Sequence, residues 1–377
     1  MDSFLMERIA TTERPRRDAL PALTGLRILL AAHVLLFHFA PGFFGNSSFA
    51  RNFARAGSSA IPGFFLLSGF ILTYAHVLAP DRIDQPAGQF WLARFYRIYP
   101  AYFLAFLLSA PFALAQLRHT GLRLHTLVDT GLFLLLLQTW VPGLWSYWNY
   151  PAWSLSVEAF FYACFPLLAP WIIGRKWDWR GMLGAVWIAG LVAPAILAGS
   201  TRFDWVLAMP PLHLPEFVFG MILGSRRPAY TGHRGEGSDH ERAWAWIGPI
   251  GAAMLIACYG SGWFSYDLID HGLFAPLMGC VMWSLARGKG WFTYLLGLKP
   301  IVYLGEISYG VYIFQFPVFT GSFVVAKRIG LAWNTRPTFL ICCAILVGVS
   351  SLSYELIEKR LRRAGMGYRE RRLRAAG

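Results

Sequence analysis

The stretch LTGLRILLAAHVLLFHF, residues 23–39, is an apolar segment long enough to cross a bilayer, yet it carries Arg27, His33 and His38. An ionisable side chain inside such a segment costs a few kcal/mol to insert, so its retention points to function. Arg27 and His38 stand eleven residues apart. On a helix that spacing leaves them about 20° apart around the axis and about 16 Å apart along it. A guanidinium near one membrane surface and an imidazole deeper on the same face form a polar track.

Working outward, the rest of the chain supports a membrane setting. Of its 377 residues, 56% are hydrophobic and 14% charged, with a mean hydropathy of +0.45. A soluble domain carries about 25% charged residues. Apolar segments fall near 22–40, 60–79, 98–117, 126–142, 153–173, 181–199, 206–224, 243–260, 269–287, 301–323 and 338–357. The 126–142 segment is the shortest and contains Asp129. Reading it as a re-entrant or interfacial piece leaves ten spans, and about three-quarters of the 34 Lys and Arg then fall on one side. That asymmetry predicts an all-α polytopic membrane protein, about ten transmembrane helices plus one re-entrant or interfacial segment, with both termini cytoplasmic. Its parts would be an N-terminal tail (1–21), a membrane domain (22–357) and a basic C-terminal tail (358–377). The first twenty residues show no signal peptide.

The net charge of +14 is explained by loop topology and anionic lipid, and no clustered footprint for nucleic acid is visible. The five cysteines all lie in apolar segments without metal-ligand spacing, so neither a disulfide framework nor a metal site is expected.

Further motifs sit in or beside the spans. Ser68-Gly69-Phe70 offers small residues where a helix or a ligand can approach the backbone. Arg94-Phe95-Tyr96-Arg97 at the mouth of the third span serves either as a topology anchor or as a phosphate grip. Trp153-Ser154-Leu155-Ser156-Val157-Glu158 brings a carboxylate into the membrane, and a buried carboxylate needs partners. Glu216 follows His213 in another span, and Glu306, Ser308, Tyr309 and Gln315 put polar groups into the tenth. From the residues alone two classes remain open. One is a membrane transferase with a histidine general base and arginines on an anionic donor. The other is a proton-coupled transporter using the same groups as a relay.

Taken in order, LTGLRILLAAHVLLFHF, GFFLLSGFILT, RFYRIYP, WSLSVEAFFY, LPEFVFGMILG and LGEISYGVYIF resemble the blocks of the acyltransferase-3 family of membrane acyltransferases. The resemblance covers residues 20 to 360. It implies an O-acyltransferase, most often an O-acetyltransferase, in a bacterial inner membrane. Such an enzyme moves an acyl group from cytoplasmic acyl-CoA, usually acetyl-CoA, to a hydroxyl of an extracytoplasmic or lipid-linked glycan; a secondary metabolite is the alternative acceptor. No bound cofactor is implied, acetyl-CoA being a substrate. Partners would be acyl-CoA, the glycan or lipid-linked sugar, membrane lipid and a component of a polysaccharide assembly pathway. By the same carry-over His38, as base or acyl carrier, is the leading catalytic residue, with Arg27 and Glu158. Arg94 and Arg97 would bind the donor. Ser68, Gly69, Phe70, Trp153, Ser156, Glu216, Ser308 and Tyr309 would shape the channel or position the acceptor. His33 does not match the motif and is expected to pack. The chain departs from the pattern at Phe314-Gln315-Phe316-Pro317, where many members carry a histidine, and at Ala159, where a second acid is common.

Overall fold

Prolines mark where many of the helices begin. Pro21, Pro215, Pro276, Pro300 and Pro337 each occupy the first turn of a helix, where the missing N–H costs no hydrogen bond. In the computed structural model, residues 19–79, 82–120, 124–174, 178–198, 208–226, 239–333, 335–363 and 365 are described. The first helix, α1, spans Pro21–Phe39 and ends where Pro41 opens a short 3₁₀ turn. It is followed by α2 (Ser48–Arg55), α3 (Ala60–His76), α4 (Ala87–Thr120), α5 (Leu124–Leu134), α6 (Trp153–Gly174) and α7 (Trp179–Ala198). Then come α8 (Leu214–Ser225), α9 (Asp239–Ser261), α10 (Tyr266–Asp270), α11 (Ala275–Ala286), α12 (Trp291–Leu296), α13 (Lys299–Arg328) and α14 (Arg336–Ser353). A small antiparallel hairpin, Val77–Ala79 with Arg82–Ile83, links α3 to α4.

The expectation of a polytopic helical membrane protein holds. Among the described residues eight helices are long and apolar enough to cross a membrane. Large apolar side chains left on the outside, such as Leu167, Ile196 and Leu340, form the lipid-facing surface. The remaining two expected spans differ in form. The helices α8 and α11 have only 12 residues each, about 18 Å, too short to cross alone. Each is preceded by a short helical piece, Pro210–His213 and Tyr266–Asp270. Broken backbone at membrane depth needs partners inside the protein, and it has them. His271 Nδ1 pairs with the Asp267 carbonyl at 2.7 Å, and Trp187 Nε1 donates to the Gly272 and Leu273 carbonyls at 3.2 Å. The rings of His213 and His271 stack between the two breaks at 5.9 Å.

The segment expected to be re-entrant does not cross. The 11-residue α5 reaches about 16 Å, after which Leu136 turns with a positive φ and the chain runs through irregular structure to Trp153. Its backbone is satisfied by protein: Tyr99 and Tyr102 donate to the Leu134 and Phe133 carbonyls, and Gln138 Nε2 donates to that of Ala152. Trp148 stacks on Phe106 and donates to its carbonyl at 2.9 Å.

Two boundaries shift from the sequence reading. The RFYRIYP stretch lies inside α4, which begins at Ala87, instead of in the loop before it. Beyond Ser353 the last span continues through a π-helical turn, Tyr354–Glu358, and stays helical to Arg363, so residue 358 does not open a tail. Residues 1–18 of the expected N-terminal tail and 366–377 of the C-terminal one lie outside the described residues.

Helices α1, α3, α8 and α13 form the inner group. Where α3 crosses α8, a Cβ at Gly69 would collide with the Phe217 carbonyl oxygen, and one at Gly220 with that of Leu66. Small residues at such a crossing let the backbones touch. The same happens where Gly305 of α13 meets the Thr24 carbonyl of α1. Gly220→Ala should therefore lower stability by about 1–3 kcal/mol. A fall of the thermal unfolding midpoint in detergent checks this; an unchanged midpoint would mean that the crossing tolerates separation.

Candidate active site

Helix α1 brings Thr24 and Arg27 to one wall of a cavity of about 190 Å³. Across it stand Ser68 from α3, Arg94 and Arg97 from α4, Glu158 and Tyr162 from α6, and Ser308, Tyr309 and Tyr312 from α13. The α4 wall is fastened by two contacts. Trp91 Nε1 donates to the Tyr162 carbonyl at 3.0 Å, and the Tyr309 hydroxyl donates to that of Ile98 at 2.7 Å.

The electrostatics are lopsided. Three guanidinium groups, Arg27, Arg94 and Arg97, face the cavity, with Glu158 its one carboxylate. That carboxylate is held by the Tyr162 hydroxyl, with the Ser68 hydroxyl at 3.5 Å. Among the described residues no carboxylate lies within 4.0 Å of any of the three arginines. Arg94 rests over the rings of Phe90 and Tyr162, at 5.6 and 6.0 Å, and its Nε has no hydrogen-bond partner among the described residues. Such a set, positive and underpaired, suits an anion with several oxygens.

His38 does not line this cavity. Three turns beyond Arg27 on α1, it meets Gln315 of α13, Nδ1 to Oε1 at 3.0 Å, with the Tyr150 ring edge-on at 5.2 Å. Gln315 in turn donates its Nε2 to the Tyr312 carbonyl at 2.8 Å. That bond turns the amide oxygen toward the imidazole, which assigns the proton to Nδ1 and leaves the Nε2 lone pair available. Phe64 and Tyr312, whose rings lie 6.2 Å apart, line the cavity, and the Tyr312 carbonyl is the one that holds Gln315. The Tyr312 hydroxyl is itself tied to Ser154 at 2.8 Å and to the Pro151 carbonyl at 2.9 Å.

Arg27, Arg94, Arg97, Glu158, Ser68, Ser308 and Tyr309 thus line one cavity. Others are placed elsewhere. Gly69 and Phe70 belong to the α3–α8 contact, because the bulk there is backbone and leaves no channel; Phe70 is fully buried. Ser156 faces away from the cavity and bonds to the Leu136 carbonyl (2.5 Å) and Thr139 (2.6 Å), anchoring the re-entrant segment. Trp153 packs against His213 and Phe65. Glu216 lies 3.8 Å from His213 in the cluster at the broken spans. His33 packs as expected, stacked on Phe53 and bonded to its carbonyl.

Three contributors were given no site role from the sequence. Tyr162 stands four residues after Glu158 on α6, a spacing that could have revealed the pair. Gln315 was noted as a missing histidine, whereas it is the partner of His38. Glu358, turned inward by the π turn, is buried and pairs with Arg362 at 3.2 Å, within electrostatic reach of Arg97 and Arg27.

Residues 20–355 match the family described as an acyltransferase domain, acyltransferase-3. The chain belongs to this family. It is a multi-pass membrane acyltransferase, as the resemblance implied. Among its relatives is acyltransferase MdmB of Streptomyces mycarofaciens, 29% identical over 88% of each chain. O-acetyltransferase OatA of Staphylococcus aureus is 22% identical over 97% of this chain and 60% of its own. Peptidoglycan O-acetyltransferase OatA of Listeria monocytogenes is 22% identical over 94% and 57%. The chain therefore spans less than two thirds of the length of the OatA proteins. No solved structure matches.

Gln315→Leu should keep the fold and lower the transfer rate about 10- to 100-fold, since it removes the group that fixes the imidazole tautomer together with its bond to the Tyr312 carbonyl. Purified variant and wild type compared at saturating donor decide this; equal rates would release Gln315 from that role.

Proposed function

We propose that the chain is an O-acyltransferase, acetyl being the foremost acyl group, that uses acyl-CoA as donor and a glycan hydroxyl as acceptor. The observation that carries the reading is the cavity with three arginines unpaired to any described carboxylate, joined by α1 to an imidazole whose Nε2 is left open. The excess of basic residues at the α4 N-terminal end suits a cytoplasmic face there, with both chain termini on that side of a bacterial cytoplasmic membrane. Arg94 and Arg97 meet the donor phosphates at this end. Arg27 and Glu158 orient the thioester in the cavity.

At the other end the acceptor hydroxyl reaches His38. His38 Nε2 takes the hydroxyl proton as the oxygen bonds to the thioester carbonyl carbon; the carbon–sulfur bond breaks and the CoA thiolate leaves, to be protonated. For the two substrates to meet, the acyl group must travel from the cavity toward His38; Tyr312 lines the cavity and holds the Gln315 that bonds His38, so it connects the two halves of the site. The glycan acceptor is supported by the likeness to the peptidoglycan O-acetyltransferase of Listeria monocytogenes. Ser308 and Tyr309 line the donor path.

The reading is tested with purified protein and acetyl-CoA, following free CoA with and without a surface-glycan fraction. Glycan-dependent CoA release is the expected result. Release that ignores the glycan, or none with any fraction, overturns the assigned acceptor and donor respectively.

A further inference from the structure

Away from the cavity, α7, α8, α9 and α11 leave an apolar groove of about 470 Å³. Four tryptophans line it, Trp179, Trp187, Trp244 and Trp283, with Phe219 and Leu223 from α8. One end differs from the rest. The Arg180 and Arg226 guanidiniums lie over the Trp179 ring, at 5.3 and 5.7 Å, and that of Arg287 lies over Trp244 at 5.4 Å. Among the described residues none of these arginines has a carboxylate within 4.0 Å. The neighbouring Asp178 carboxylate instead accepts the backbone N–H groups of Arg180 and Gly181 at the start of α7.

The dimensions match one leaflet. From Trp179 to Trp187 the helix rises about 12 Å, against a hydrocarbon half-thickness of about 15 Å. A plain lipid-facing surface is convex and uncharged. Here a concave slot ends in three cations set over tryptophan rings at the ends of α7, α8 and α11, where a helix that enters a bilayer meets headgroups. A zwitterionic lipid would fill the slot and leave the cations uncompensated, while a soluble anion would meet the cations and leave the slot empty. A single molecule that satisfies both has an acyl chain and a net negative headgroup. We propose that this groove binds an anionic phospholipid of the leaflet on the α7 N-terminal side. The site stands apart from the catalytic cavity, and the proposal does not depend on the donor or acceptor.

The test uses the full chain purified in mild detergent and native mass spectrometry, with phosphatidylglycerol and phosphatidylcholine of equal chain length. Phosphatidylglycerol should be retained preferentially. Arg226→Gln and Arg287→Gln should each weaken that retention about fivefold, bringing the double variant close to phosphatidylcholine. Gly184→Leu fills the slot from α7, where a Cβ meets nothing within 4 Å, so the fold is kept and retention of both lipids should fall. Soluble glycerol phosphate at the same concentration should not displace the lipid. Retention unchanged in the double variant and in Gly184→Leu would overturn the proposal. Displacement by glycerol phosphate would overturn it too, by showing an anion site that does not read the chain.

Discussion

Replacing His38 by alanine is expected to reduce acyl transfer about 10²- to 10⁴-fold, the range that a positioned general base contributes. The variant should insert and bind donor normally, because His38 lies outside the cavity that the arginines line. Its neighbours are Gln315 and the Tyr150 ring, and loss of one half-buried imidazole leaves the α1–α13 contact at Gly305 and Thr24 untouched. The measurement is a transfer rate at saturating acetyl-CoA, paired with a donor affinity. A rate near wild type would remove His38 from the chemistry.

Arg97→Gln should act on the other half of the site. A charge-assisted hydrogen bond to phosphate is worth about 1.5–3 kcal/mol, which corresponds to a rise in donor KM of about 10- to 150-fold. The turnover number at saturation should change much less, since the phosphates lie away from the reacting carbon. Arg97→Lys should recover part of the loss and not all of it, because an ammonium cannot reproduce the bidentate contact. A topology anchor would show the opposite pattern, with lysine fully restoring the protein. Steady-state kinetics over a range of acetyl-CoA concentrations separates the two.

Much of the architecture was legible because membrane helices announce themselves by length and apolarity. Arg27, Arg94, Arg97 and Glu158 each stand out as charges inside or beside a span, and the structure gathers all four around one cavity. What stayed hidden was set by packing between distant segments. Ser156 and Trp153 share the WSLSVE block with Glu158, yet helical rotation turns them toward the re-entrant segment and His213. Gly69 sits beside Ser68, but one residue along a helix is a turn of about 100°, enough to move from cavity wall to helix crossing. The short spans α8 and α11 could not be told from full ones, because the apolar runs 206–224 and 269–287 extend beyond both helices in sequence. Glu358 read as the start of a charged tail, and no periodicity announces the π turn that buries it.

Donor, acceptor and His38 are tested together by following radiolabelled acetyl from acetyl-CoA into a surface-glycan fraction, with wild-type protein and His38→Ala in nanodiscs. The wild type alone should label the glycan, with both proteins binding acetyl-CoA equally. Equal labelling by the two proteins would contradict the role assigned to His38.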